Sequence, residues 1–90
     1  MEFEWDEAKN ASNLAKHGVS FELAHEFDWY GAIVVRDDRM DYGEERYLAR
    51  GHAADGAGYS IVFTRRGAAI RVISIRPFNR KEYSRYGKRE

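Results

Sequence analysis

The fold is decided by residues 59–77, which read YSIVFTRRGAAIRVISIRP. Residues 59–64 and 70–75 are rich in β-branched and aromatic side chains, and Arg66-Gly67 between them is typical of a tight turn. Pro77 cannot donate a hydrogen bond to a neighbouring strand, so the second strand should end there. The stretch therefore predicts an antiparallel β-hairpin. A turn at Arg66-Gly67 would place Phe63 opposite Ile70 and turn Arg71 toward the other face.

Further strands are predicted before this hairpin. Residues 32–35 and 45–51 have β-type patterns and are separated by a charged turn at 36–43. The glycine-rich residues 52–58 form a loop that leads into the hairpin. Three or four antiparallel strands follow from this order. A further short strand is possible at residues 2–5.

Helix-capping residues flank these strands. Asp6 can cap a helix that ends at Gly18, and Ser20 can cap a second helix that ends near Asp28. Asn79, with Glu82 three residues later, resembles a capping box for a helix over residues 80–88. The sequence therefore predicts an α+β fold, with two N-terminal helices packed on a three- to four-stranded antiparallel sheet and a C-terminal helix. Ninety residues suit a single domain, 1–90.

Composition excludes several classes of protein. There is no cysteine, and the three histidines have no metal-binding spacing, so neither a metal site nor a cofactor is expected. The longest apolar run has four residues, and the acidic start lacks the basic flank of a signal peptide. We therefore expect a cytoplasmic protein without membrane contact.

Charge is distributed unevenly along the chain, although the total is zero. Residues 1–45 hold twelve acids and four bases, a net −8, whereas residues 65–90 hold two acids and nine bases, a net +7. The C-terminal part can therefore create a local field that attracts phosphate. The alternative is that these opposite blocks pair within the fold.

Arginines cluster around the junction between the last strand and the last helix. Arg76 leaves the strand, Arg80 enters the helix at its first turn, and Arg71 precedes them on the strand, so their guanidinium groups can converge on one anion. The side chains that can extend such a site along a nucleic acid are Arg46, Arg50, Arg66, Tyr83 and Tyr86. Alternatively, these arginines are solvated or paired with acids.

Two other residues have both a structural and a chemical interpretation. Glu82 is placed to act as a general base, but its position in the capping box favours a structural role. His17 lies next to Lys16 in the last turn of the first predicted helix. At that position it interacts favourably with the helix dipole, whether or not it also takes part in catalysis.

Four stretches together resemble one protein family. The opening FEWDEAKNASNLAKHGVSF (residues 3–21) is similar to the N-terminal signature of the BrnT toxins. The stretches DDRMDYGEERYLARG (37–51), TRRG (64–67) and IRVISIRPFNRKEYSRYGK (70–88) resemble the same family in the same order. The resemblance covers nearly the whole chain.

This resemblance implies the toxin of a type II toxin–antitoxin pair, with a RelE-like ribonuclease fold. It implies action on RNA, inhibition of growth, neutralisation by a BrnA-like antitoxin, and contact with operator DNA only through the antitoxin complex. RNA carries its own nucleophile, the 2′-hydroxyl, so such an endoribonuclease can act without a metal. The alternatives are a non-cleaving nucleic-acid-binding module and a co-repressor.

The candidate residues take roles in this scheme. Arg76 and Arg80 would stabilise the charge that develops on phosphorus. The general acid and base would come from His17, Glu82 and Tyr86. The remaining candidates would bind and position RNA: Lys16, Arg46, Arg50, Arg66, Arg71 and Tyr83.

Overall fold

The computed structural model describes residues 1–87. Its elements are β1 (Glu2–Glu4), α1 (Glu7–His17), a 3₁₀ helix (Phe21–His25), β2 (Ile33–Asp37), β3 (Arg46–His52), β4 (Gly58–Arg66), β5 (Ala69–Pro77) and α2 (Arg80–Tyr86). No helix among these residues is long and apolar enough to cross a membrane.

The sheet has five strands in the order β1-β5-β4-β3-β2. β1 runs parallel to β5 and the other neighbours are antiparallel, so the sheet is mixed. The expected three- to four-stranded antiparallel sheet is therefore wrong. A hairpin is recognised from local turn signals, but β1 pairs Glu2 with Ala69, far along the chain, and no local pattern marks such a pairing.

The expectation of two N-terminal helices is also wrong. α1 forms as predicted, with Asp6 as its N-cap and Gly18, at a φ of 73°, as its C-cap. Ser20 caps the second segment, but that segment is a 3₁₀ helix of only five residues. It cannot continue because Phe27 forms a β-bridge with Ala53, which draws the chain into an extended path.

The C-terminal hairpin and helix are close to prediction. The hairpin loop is Gly67-Ala68, closed by the pair Arg66 and Ala69, and Gly67 has the positive φ of 60° that such short turns require. The loop lies one residue later than the predicted turn at Arg66-Gly67, so Phe63 lies opposite Val72 and not Ile70. An irregularity between Val62 and Phe63 then shifts the register of the pairs farther from the turn. The predicted last helix is confirmed over Arg80–Tyr86, and residue 88 lies outside the described residues.

The core lies on one face of the sheet. The 3₁₀ helix covers this face, where Phe21, Ala24, Ile61 and Ile75 have no exposed surface, and α1 lies against the edge of β5. The opposite face, which we call the open face, carries the alternate side chains of β3, β4 and β5. α2 contacts one end of the open face through Glu82.

A buried asparagine takes the place of a strand beside β5. β1 pairs with residues 69–71, and among residues 1–87 no other strand lies farther along that edge of β5. The side chain of Asn13 accepts a hydrogen bond from the amide of Ile75 (3.2 Å) and donates to its carbonyl oxygen (2.8 Å). The same amide nitrogen donates to the carbonyl oxygen of Val19 (2.9 Å). Asn13 therefore fixes α1 against the edge of β5.

Replacing Asn13 tests this contact. Asn13→Ala leaves the buried backbone groups of Ile75 without their partner, so we expect the free energy of unfolding to fall by about 2–3 kcal/mol. Urea denaturation followed by circular dichroism measures the change. Ser12→Ala, at an exposed neighbouring position, should change stability by no more than about 0.5 kcal/mol. Equal stability of Asn13→Ala and the parent would contradict this role.

Candidate functional site

The position of α2 is set by close packing against the start of β4. Phe78, just before α2, is buried, and its ring lies where a side chain at Gly58 would project. A Cβ atom at Gly58 would come within 2.1 Å of that ring, so the contact requires glycine. The hydroxyl of Tyr83 accepts a hydrogen bond from the Gly58 amide (3.1 Å), and His52 Nε2 is 2.8 Å from the carbonyl oxygen of Gly87. These contacts hold both ends of α2.

The predicted capping box is confirmed at the start of α2. The Asn79 side chain accepts a hydrogen bond from the Glu82 amide (2.8 Å), and Glu82 Oε1 accepts one from the Asn79 amide (3.0 Å). This arrangement turns the Glu82 carboxylate back toward the sheet.

Strand register brings three polar side chains into a row beneath that carboxylate. Ser60 on β4 lies opposite Arg50 on β3 and opposite Arg76 on β5. Arg76 donates to both Glu82 oxygens (2.6 and 3.0 Å). Arg50 Nε (3.1 Å) and Ser60 Oγ (2.8 Å) donate to Glu82 Oε2. One carboxylate therefore links three strands to α2.

These contacts hold Glu82 in its charged form. Burial acts to raise the pKa of Glu82, but hydrogen bonds from Arg76, the Asn79 amide, Ser60 and Arg50 together outweigh it and lower the pKa to about 2. A carboxylate with this pKa is a poor proton acceptor near neutral pH, because an effective general base has a pKa near the working pH.

An open cavity of about 210 Å³ lies beside this carboxylate, and we call it the arginine pocket. Its lining residues are Arg50, Arg76, Asn79, Lys81, Glu82, Arg85 and Tyr86. The four basic side chains against one carboxylate give the pocket a formal charge of +3. The Arg50 guanidinium lies 5.4 Å from the centre of the Tyr86 ring. The pocket is therefore suited to an anion that carries an aromatic group.

Three of the predicted RNA-binding arginines lie elsewhere and are paired with acids. Arg46 and Arg66 contact Glu44 at 3.4 and 3.5 Å. Arg71 contacts Glu4 on β1 at 3.9 Å. Part of the positive charge of the C-terminal segment is therefore paired, within the fold, with acids from the first half of the chain.

The other predicted site residues lie either on α2 or in a separate cleft beside α1. Tyr86 lines the arginine pocket. Tyr83 packs against Phe78 instead, with the two ring centres 5.2 Å apart, and its hydroxyl accepts the hydrogen bond from the Gly58 amide. Arg80 is exposed at the first position of α2, next to the pocket. Lys16 and His17 line a separate cleft between α1 and β5.

Sequence reasoning missed Ser60, Lys81 and Arg85. Lys81 and Arg85 are four residues apart on α2, so helical spacing could have placed them on one face. Ser60 could be found only from the pairing of β4 with its neighbours, which a sequence pattern does not reveal.

Comparison with known proteins identifies the family. The family model described as "Ribonuclease toxin, BrnT, of type II toxin-antitoxin system" matches residues 5–82. The chain belongs to the BrnT toxin family. The matched range extends from Trp5, just before α1, to Glu82, whose carboxylate lines the arginine pocket.

A solved structure supports the same assignment. The chain is similar to the ribonuclease toxin BrnT of Brucella abortus, whose crystal structure was determined at 1.1 Å resolution. The two share 28% sequence identity with a TM-score of 0.67, over 89% of this chain and 99% of the Brucella chain. No curated protein matches the chain significantly. As a type II toxin of the BrnT family, the chain has an antitoxin as partner.

The low pKa of Glu82 predicts how stability depends on pH. The charged carboxylate stabilises the folded state above its ordinary pKa of 4.5, and that contribution should be lost as the pH falls toward about 2. Glu82→Gln should therefore have a smaller loss of unfolding free energy between pH 4.5 and 2, measured by urea denaturation. Part of the pH dependence should remain in Glu82→Gln, because the pKa of Asp37 is also about 2.

Glu2→Gln serves as the matched control, because Glu2 is exposed. It should retain the parent dependence on pH. If Glu82→Gln has the same dependence as the parent, the carboxylate does not stabilise the fold through its charge.

Proposed function

We propose that this BrnT-family chain is an endoribonuclease that cleaves RNA without a metal, inhibits growth and is neutralised by a BrnA-like antitoxin in the cytoplasm. The observation that carries the proposal is the arginine pocket, with four basic side chains and one bound carboxylate on the open face. In such a site guanidinium groups meet a phosphate with paired hydrogen bonds.

The reaction needs only groups that the substrate and the protein supply. The 2′-hydroxyl loses its proton to a base, and its oxygen attacks the adjacent phosphorus. The bond from phosphorus to the 5′-oxygen breaks, and an acid gives that oxygen a proton. The products are a 2′,3′-cyclic phosphate and a 5′-hydroxyl.

The arginines are proposed to stabilise charge on the phosphate. Arg76 is proposed to contact it directly, because its side chain keeps 39% of its surface exposed while bound to Glu82. Arg80, at the start of α2, would add a second charge. Lys81 and Arg85 extend the positive surface around the pocket. Charge that develops in the transition state is stabilised most by groups that are already held in place.

Glu82 is proposed as a positioning residue and not as the base. Its carboxylate orients Arg50 and Arg76, and four side-chain and backbone partners compensate its charge. The candidates that remain for acid and base are His17 and Tyr86. Tyr86 lies in the arginine pocket and His17 lies in the neighbouring cleft.

The ion pairs of Arg46, Arg66 and Arg71 weaken their assignment as direct RNA contacts. Each would have to leave or share a carboxylate in order to bind a phosphate. We therefore propose that RNA is held first by the arginine pocket. Operator DNA is proposed to bind only to the complex with the antitoxin.

Product analysis tests the proposed reaction. The purified chain should cleave single-stranded RNA in EDTA and leave 2′,3′-cyclic phosphate and 5′-hydroxyl ends, identified by mass spectrometry. The same RNA with 2′-O-methyl groups should stay intact, because it lacks the nucleophile. Loss of cleavage on chelation that a divalent ion restores would contradict the mechanism. RNA that is bound but never cut would favour the non-cleaving module.

Substitution of the junction arginines tests their role. Arg76→Lys keeps the charge but loses the paired hydrogen bonds, so the cleavage rate should fall by about 10²-fold. Arg76→Ala and Arg80→Ala should lose about 10²–10³-fold with the fold retained, checked by circular dichroism. Arg36→Gln, an exposed arginine of β2, should keep the parent rate. If both alanine variants cut RNA within a few-fold of the parent, the site lies elsewhere.

A further inference from the structure

A second basic cleft lies between α1 and β5, and we call it the α1–β5 cleft. Its volume is about 180 Å³, and its lining residues are Lys9, Ser12, Asn13, Lys16, His17, Ile73 and Ser74. Two ammonium groups, an imidazole and two hydroxyls therefore face one cavity, and none of the carboxylates of residues 1–87 lines it. This composition is suited to an anion of the size of a phosphate group.

Helical spacing puts these side chains on one stripe of α1. Lys9, Ser12 and Lys16 are three and four residues apart, so they lie above one another along the helix. Asn13, on the same side, fixes α1 against the backbone of Ile75. The cleft is therefore held in shape by a buried contact.

The basic side chains of this cleft differ from those of the arginine pocket in their ion pairs. Within residues 1–87 no acidic side chain forms an ion pair with Lys9, Lys16 or His17. The arginines of the open face differ in this respect, since Arg50 and Arg76 bind Glu82 and Arg46 binds Glu44. An incoming anion at the cleft would not have to displace a carboxylate.

The cleft and the arginine pocket are neighbours along β5. Ser74 lines the cleft and Arg76 lines the pocket. They are two residues apart on one strand, so both point to the open face and their Cα atoms are about 7 Å apart. This distance is comparable with the length of one extended nucleotide. A single strand can therefore cross β5 between the two sites.

We propose that the α1–β5 cleft is a second phosphate-binding subsite, in which Lys9, Lys16, Ser12 and Ser74 hold the RNA phosphate next to the one bound in the arginine pocket. The subsite rests on the proposed function, because the ligand of both places is one RNA strand. It also gives His17 a position beside the substrate backbone.

The salt dependence of binding tests this subsite, because each neutralised phosphate adds about 0.7 to the slope of log affinity against log salt for a single strand. The probe is a single-stranded 2′-O-methyl RNA of eight nucleotides, which the chain can bind without cutting. Fluorescence anisotropy from low to moderate salt gives the slope. Lys9 and Lys16 hold the same phosphate, so Lys9→Gln and Lys16→Gln should each reduce the slope, by no more than about 0.7, whereas Lys16→Arg should keep the parent slope.

Two controls separate the subsite from the arginine pocket. A 2′-O-methyl dinucleotide with one phosphate should bind Lys16→Gln as tightly as the parent but should bind Arg76→Lys more weakly. Arg36→Gln should leave the slope for the longer probe unchanged. The melting temperature of each lysine variant should match that of the parent, because both lysines are exposed.

The outcomes distinguish the subsite from the proposed function. If Lys9→Gln and Lys16→Gln bind the longer probe with the parent slope while Arg76→Lys weakens it, the subsite is refuted and the arginine pocket stands. If the parent chain binds neither probe, the proposed function and the subsite are both refuted. If Lys16→Gln weakens the dinucleotide as much as the longer probe, the cleft holds the same phosphate as the arginine pocket and the proposal of two phosphates is overturned.

Discussion

The carboxylate of Glu82 is the contact on which the arrangement of the open face depends. It accepts hydrogen bonds from Arg50, Ser60 and Arg76, which lie on three adjacent strands, and from the backbone at the start of α2. A buried charge is tolerated only when it has partners of opposite charge, so this group and its arginines stabilise one another. The same contact decides which way the guanidinium groups point, and it links the stability of the helix to the geometry of the pocket.

The ion pairs are distributed unevenly over the protein, and this distribution determines where its surface is positive. Acids from the first half of the chain bind Arg66 and Arg71, which lie toward the hairpin end of the sheet. At the other end, within residues 1–87, no acid forms an ion pair with Lys81 or Arg85. The positive field is therefore concentrated around α2 and the α1–β5 cleft, although the total charge is zero.

Sequence patterns predicted the parts of this structure that depend on near neighbours in the chain. The helix caps at Asp6 and Asn79 and the C-terminal hairpin are local features, and all are confirmed. The pairing of β1 with β5 joins distant residues, and the hairpin turn lies one residue later than its Arg66-Gly67 signal, which moves the partner of Phe63 by two residues. For the site, charge patterns identified Arg76 and Glu82, whereas the contribution of Ser60 required the register across strands.

The parallel pairing of β1 with β5 has a consequence for the order of events during synthesis. Glu2 pairs with Ala69, so the first strand must wait for most of the chain before it finds its neighbour. Contacts between such distant residues slow folding, because a long loop has to close first. α2, which completes the arginine pocket, is made later still. A nascent chain on the ribosome therefore lacks the assembled pocket until residue 86 has emerged.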